Sequence, residues 1–164
     1  MRVEKPCRVS RSFTQHLCGP ADEVFPLLCP IREMEWVKDW RPKLVVTESG
    51  VAEPGCIFVT PGVPEDALWL MRVHDPVDHR LEIIKIIPGM VIGTITVNLS
   101  TDGESACAAD INYAYTALSA HGERAIGEFT DEHFRGFMKT WETELNHYLR
   151  TGDKLVSSEA DLTS

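Results

Sequence analysis

The sequence predicts an α+β fold in which a strongly curved antiparallel sheet wraps around one long C-terminal helix. Three observations lead there. Between positions 43 and 117, six extended segments follow one another with turn signals between them, the pattern of hairpins rather than of parallel crossovers. A seventh extended segment opens the chain and is separated from the others by two short helical stretches. A single long amphipathic segment ends the ordered part, and its apolar stripe needs a cover that only the inner face of the sheet is large enough to give.

The opening strand covers residues 7–16, and Gly19-Pro20 interrupts it ahead of Ala21-Asp22-Glu23-Val24-Phe25. That short helix is kept short by Pro26 and Pro30. Residues 31–40 carry good helix formers and end before Arg41-Pro42, since a residue preceding proline avoids helical geometry. The six strands that follow are expected at 43–49, 56–60, 67–73, 80–87, 91–100 and 106–117. Their breaks fall at Ser49-Gly50, Pro61-Gly62, Asp75-Pro76, Pro88-Gly89 and Asp102-Gly103, each with turn chemistry.

Alternation in the last two strands puts Val91, Gly93, Ile95, Val97 and Leu99 on one face, together with Cys107, Ala109, Ile111, Tyr113 and Tyr115 of the partner. The opposite face reads as mostly wet. A helical turn is expected around 120–127, and the long helix over 130–150. Thr130 caps it, Asp131 and Glu132 suit its first turn, and Gly152 lies just past its end. Phe134, Phe137, Met138, Trp141, Leu145, Tyr148 and Leu149 recur at helical spacing. One domain, 1–152, is therefore expected, followed by a polar and flexible tail at 153–164.

With 25 acidic against 16 basic residues the formal charge is -9 and no segment forms a basic stripe, so nucleic acid is not an expected partner. Met1-Arg2-Val3-Glu4-Lys5-Pro6 lacks the apolar core of a secretory signal, and no uncharged apolar run reaches membrane-spanning length. A cytoplasmic location follows as the expectation. The five cysteines, at 7, 18, 29, 56 and 107, are odd in number and have no close pair, which argues for reduced thiols and against a zinc site.

The order strand, two short helices, six strands, long helix resembles the helix-grip domain of the StAR-related lipid-transfer (START-like) and polyketide cyclase superfamily, SRPBCC. More narrowly, Val24 to Trp36, Glu53-Pro54-Gly55-Cys56-Ile57-Phe58, Tyr115-Thr116-Ala117-Leu118-Ser119 and Trp141 to Leu149 resemble an uncharacterised bacterial branch of it. The resemblance implies a curved seven-stranded sheet, a cavity between it and the C-terminal helix, and a small hydrophobic ligand such as a lipid, a polyketide-like molecule or an aromatic metabolite. It transfers no catalytic residues.

Several residues qualify as ligand contacts. Tyr113 and Tyr115 occupy the inner strand face, and a buried phenol needs a hydrogen-bond partner. In the dense segment 29–40, helical spacing puts Arg32 one turn from Trp36 and Trp36 one turn from Trp40, a group suited to an anionic or aromatic ligand. The plainer reading packs the tryptophans on the sheet and pairs Arg32 with Glu35 on the surface. Trp69, Met138 and Trp141 belong to the core and line a cavity where a void remains. For proton transfer the candidates are Glu35, Glu128, His133 and the two tyrosines, although Glu128 and His133 also suit a solvent-facing helix start.

His74-Asp75-Pro76-Val77-Asp78-His79 reads as a hairpin turn before it reads as a metal site, and Glu144-Leu-Asn-His147 lacks the second such pair that a di-iron bundle requires. No phosphate loop, paired Cys-x-x-Cys or nucleophile elbow is present, so neither metal nor cofactor is expected. The first functional reading is a carrier or sensor, monomeric or weakly dimeric. The alternatives are a cyclase or dehydratase-type enzyme and a co-chaperone-like interaction domain. Ionisable groups converging on one point of the cavity would favour the enzyme, and an apolar patch on the outer sheet face would favour the interaction domain.

Overall fold

A computed structural model of the chain describes residues 1–156; most of the expected tail, 157–164, lies outside the described residues. Seven strands form one antiparallel sheet: β1 (Arg8–Leu17), β2 (Leu44–Val46), β3 (Ile57–Thr60), β4 (Ala67–Asp75), β5 (Arg80–Ile87), β6 (Val91–Thr101) and β7 (Cys107–Ala117). They are ordered β1-β7-β6-β5-β4-β3-β2, which makes the seven-stranded antiparallel sheet that the helix-grip resemblance implied. Strand β2 is shorter than expected because its end turns on Glu53. That carboxylate accepts hydrogen bonds from Ser49, from the Glu48 N–H and from Thr47, which hold it down at about 2.

The helices differ more from expectation. Helix α1 (Ala21–Val24) runs directly into a 3₁₀ turn at Phe25–Leu27. Residues 31–40 form no regular helix, only a 3₁₀ turn at Arg32–Glu35, after which Trp36 leaves helical geometry at φ -133°. The two indoles account for this. Trp36 Nε1 donates to the Leu27 carbonyl at 3.0 Å and Trp40 Nε1 to the Pro30 carbonyl at 2.7 Å, so the segment folds back on its own preceding loop. The stretch expected to give a single turn instead gives a full helix, α2 (Ala120–Glu128), with the Ser119 hydroxyl accepting from the Gly122 N–H.

Helix α3 (Asp131–Thr151) is capped as its sequence dictates. Thr130 Oγ1 accepts from the His133 N–H at 3.1 Å, and Gly152, at φ 75°, donates to the Tyr148 carbonyl at 2.7 Å. Phe134, Met138 and Leu145 are buried, and Phe137, Trp141, Tyr148 and Leu149 pack half-buried beside them. The helix lies along the open edge of β1. Glu142 accepts from the His16 N–H at 2.8 Å, Asn146 accepts from the Cys18 N–H at 2.8 Å and donates to the His16 carbonyl at 2.9 Å, and Gln15 donates to the Met138 carbonyl at 2.9 Å. An edge that would otherwise offer free backbone groups is thereby closed by side chains.

The outer face is wet only in part. Over β7 and β1 it carries Ser10, Ser12, Thr14, Asp110 and Asn112, as the alternation indicates. Over β2 to β6 two aliphatic rows cross it in register, Val46-Ile57-Leu70-Ile84 and Leu44-Val59-Leu68-Ile86-Ile92, and six of these nine side chains are exposed. Strands β4 and β5 are apolar on both faces, which hides their alternation from a reader of the sequence.

Close packing of α2 on the start of β6 makes one position sensitive. A Cβ placed on Gly122 would stand 1.9 Å from the Met90 carbonyl oxygen, a backbone atom that cannot swing aside. Gly122→Ala is expected to destabilise the fold by about 1–3 kcal/mol, measured as a lower urea midpoint; an unchanged midpoint would show that α2 is not seated as described.

Candidate functional site

A cavity of about 560 Å³ separates α3 and the segment 28–40 from the inner face of the sheet. Sheet register builds its floor. One cross-strand row runs Val45, Phe58, Trp69, Lys85, Gly93, Tyr115, Val9, and the next runs Met71, Ile83, Ile95, Tyr113, Arg11. Gly93 matters in the first row because it leaves the space above it empty. The Tyr115 ring lies there, so close that a Cβ on Gly93 would meet it at 2.4 Å. Lys85, two strands away, reaches to 5.7 Å from that ring.

Aromatic side chains form a closed belt around the cavity. Lys85 Nζ stands 4.5 Å from the centre of the Trp69 ring, and Trp69 stacks on Phe58 at 5.2 Å. Phe58 meets Trp40 at 6.1 Å, Trp40 meets Trp141 at 6.3 Å, and Trp141 meets Phe137 at 5.2 Å. The ring centres of Phe137 and Tyr113 stand 6.3 Å apart and those of Tyr113 and Tyr115 6.2 Å apart, which returns the belt to Lys85. Every member lines the cavity, and so does Trp36, whose ring stands edge-on to Trp141 at 5.5 Å.

Of the residues singled out from sequence, Trp36, Trp69, Tyr113, Tyr115, His133, Met138 and Trp141 line the cavity, His133 at its exposed margin. Arg32 and Glu35 do not. Arg32 donates to both carboxylate oxygens of Glu35, at 3.0 and 3.2 Å, and Tyr148 donates to Glu35 at 2.7 Å, which ties the 3₁₀ turn to α3 on the surface. The helical spacing that grouped Arg32 with Trp36 does not hold, because the segment is not a helix. Glu128 is exposed and outside the cavity wall. In the β4–β5 turn Asp75 accepts from the N–H groups of Val77 and Asp78, so its chemistry is that of a turn. Among the described residues no three His, Cys, Asp or Glu side chains stand together as a metal site would require, and no helix is long and apolar enough to cross a membrane.

Sequence reasoning missed the two most unusual groups of the site, Lys85 and Glu33. Lys85 is the single charge in the run Ile83-Ile84-Lys85-Ile86-Ile87, and Glu33 is one of three acidic residues around Arg32, the other two being exposed or surface-paired. Both are half-buried and line the cavity. Burial pushes the Glu33 carboxyl up to about 8 and the Lys85 ammonium down to about 8. Burial accounts for both shifts, and Glu33 is near enough to Tyr113 to add to the upward shift that burial imposes on that phenol. The cavity thus has two polar stations, Lys85 beside Trp69 and Tyr115, and Glu33 toward Tyr113. Among the described residues the side-chain polar atoms of Lys85, Glu33, Tyr113 and Tyr115 have no protein hydrogen-bond partner, and none is sealed away from the cavity space.

No family model matches the sequence, and no curated protein matches it. Solved structures match its fold. Norcoclaurine synthase from Thalictrum flavum, in complex with dopamine and hydroxybenzaldehyde, is 12% identical over 84% of this chain and 86% of its own, with a TM-score of 0.59. The di-domain ARO/CYC BexL of the BE-7585A biosynthetic pathway is 16% identical over 87% of this chain and 46% of its own, with a TM-score of 0.60. Mll3558 from Rhizobium loti is 14% identical over 87% of this chain and all of its own, also at 0.60. At such identities the likeness is one of fold, a curved antiparallel sheet gripping a long C-terminal helix.

The two stations tilt stability in opposite directions with pH. Unfolded Glu33 ionises near 4.5 but the folded carboxyl near 8, so the folded state holds the extra proton and loses stability as pH rises between those values. Folded Lys85 gives up its proton near 8 and the unfolded side chain near 10.5, so stability rises with pH across that window. Glu33→Gln is therefore expected to gain about 2–4 kcal/mol over the parent between pH 5 and pH 8. The advantage of Lys85→Met should be largest below pH 8 and fade toward pH 10.5. Urea titrations at several pH values measure both; differences that do not change with pH would contradict this electrostatic picture.

Proposed function

We propose that the chain binds a small, predominantly aromatic molecule in the cavity between the sheet and α3, acting as a carrier or sensor. The observation that carries this reading is the closed aromatic belt around a void of about 560 Å³. Apolar pockets of about 300–1,000 Å³ with a few placed polar groups are the ordinary form of small-molecule sites, and proteins close-pack interiors that have no such use. The fold neighbours add support of a general kind, since one is a synthase in complex with dopamine and hydroxybenzaldehyde and another an ARO/CYC protein of a biosynthetic pathway.

A second reading, an enzyme of the cyclase or dehydratase type, draws on a separate observation. Glu33 is a half-buried carboxyl poised near neutrality toward the Tyr113 phenol, the arrangement a proton-transfer step needs. The carrier stays ahead because the two cavity groups that burial shifts toward neutrality, Glu33 and Lys85, stand at separate stations rather than at one reacting point. The aliphatic outer face of β2 to β6 is the feature that would favour an interaction domain.

All four tryptophans of the chain line the cavity, so occupancy has an internal reporter. The neutral probe N-phenyl-1-naphthylamine is expected to bind saturably at roughly micromolar Kd, about -8 kcal/mol, and to quench tryptophan emission by energy transfer in step with its own enhancement. Met138→Glu should abolish both signals, with far-ultraviolet circular dichroism reporting whether the fold survives. Probe fluorescence that rises linearly without quenching would mean surface adsorption and would defeat the reading.

A further inference from the structure

Lys85 is the feature that a purely apolar carrier does not explain. Its side chain projects from the middle of β5 onto the inner face, with Trp69 next to it in the cross-strand row and Gly93 on its other side. The ammonium sits over the Trp69 ring at 4.5 Å and within 5.7 Å of the Tyr115 ring. No carboxylate among the described residues pairs with it. A cation held by ring faces alone is under-compensated, because those contacts return only part of the hydration that burial removes. Its place as the charged member of the belt, between the Trp69 and Tyr115 rings on the cavity wall, suits a counter-ion that arrives with a ligand.

The remainder of the cavity does not oppose an anion there. Glu33, the half-buried carboxyl of the cavity lining, stands toward Tyr113, whose phenol its charge reaches. Asp39 and His133 lie at the exposed margin. The Tyr115 hydroxyl, without a protein acceptor, is a second donor on the same side of the cavity.

We infer that Lys85 anchors an anionic oxygen of the ligand, so that the cavity takes aromatic or conjugated acids (carboxylates, sulfonates, acidic phenols) in preference to neutral molecules of the same shape. This rests on the reading of the cavity as a small-molecule site. In the bound state the ring system lies against Trp69, Phe58 and Trp40, with the charge at the Trp69 end, where ammonium and anion together replace two separately buried or hydrated charges by one pair.

Two probes that share a ring system test it. N-Phenyl-1-naphthylamine is neutral, and 1-anilinonaphthalene-8-sulfonate is the same skeleton with one sulfonate. Lys85→Met is expected to weaken the sulfonate probe at least tenfold while changing the neutral probe less than threefold, and Lys85→Arg should restore most of the lost affinity. In the unaltered protein, 1-naphthoate should displace the neutral probe at concentrations at least tenfold below those of methyl 1-naphthoate, although the ester is the more hydrophobic of the two. Equal losses for both probes in Lys85→Met, or displacement that follows hydrophobicity, would overturn the anchor and leave the cavity reading standing. Failure of the neutral probe to bind the parent protein would overturn both.

Discussion

Helix α3 is fastened to the open edge of β1, and most of what is distinctive in this molecule follows from that attachment. Glu142 and Asn146 occupy the backbone groups of His16 and Cys18 that a neighbouring strand would otherwise take, and Gln15 reaches from the sheet to the helix backbone. A helix committed to one edge of a seven-stranded curved sheet cannot also cover its middle. The inner faces of β4, β5 and β6 are left to the irregular segment 28–40 and to large side chains reaching from both sides. Those side chains meet, stacked or edge to face, as a belt without filling the enclosed space. At about 24 cal/mol per Å³, a dry void of this size would cost on the order of 10 kcal/mol, comparable with the whole stability of a domain, so the space has to be wet or filled. The unpartnered groups of Lys85, Glu33, Tyr113 and Tyr115 are what make either state tolerable.

Much of the architecture was legible in the sequence because its signals are local and redundant. Proline and glycine punctuate each strand break, Thr130 and Gly152 bracket α3, and the odd-numbered faces of β6 and β7 alternate cleanly. The helix expected at 31–40 was not there, for a reason that propensity does not carry: Trp36 and Trp40 spend their indole N–H groups on the carbonyls of Leu27 and Pro30, and these tertiary bonds outweigh a run of good helix formers. The outer aliphatic rows were equally hidden, because β4 and β5 are apolar on both faces and their alternation gives no sign of which face is inner.

The site was half legible. Tyr113, Tyr115, Met138 and Trp141 could be placed from alternation and helical spacing, since those rules fix which face a side chain occupies, whereas Trp36 and Trp69 were expected inside only as large apolar side chains. Lys85 could not, although a lone lysine among four isoleucines is itself an anomaly in a strand. Its meaning appears only with the register that sets it between Trp69 and Gly93, and register between distant strands is not a property of either strand alone. Arg32 and Glu35 drew attention as charged neighbours of tryptophan, and their mutual pairing with Tyr148 at the surface is the commoner fate of such residues.

The central claim is that the enclosed space between α3 and the sheet, rather than the aliphatic outer face, receives a small molecule. Nuclear magnetic resonance of the uniformly labelled protein during titration with N-phenyl-1-naphthylamine tests this directly, because the two surfaces carry different reporters. The account predicts saturable shifts of the indole N–H resonances of Trp36, Trp40, Trp69 and Trp141 and of the Tyr113 and Tyr115 amides, with the methyl resonances of Leu44, Leu68 and Leu70 unmoved. Shifts confined to those outer leucines, with the four indoles unperturbed, would contradict it.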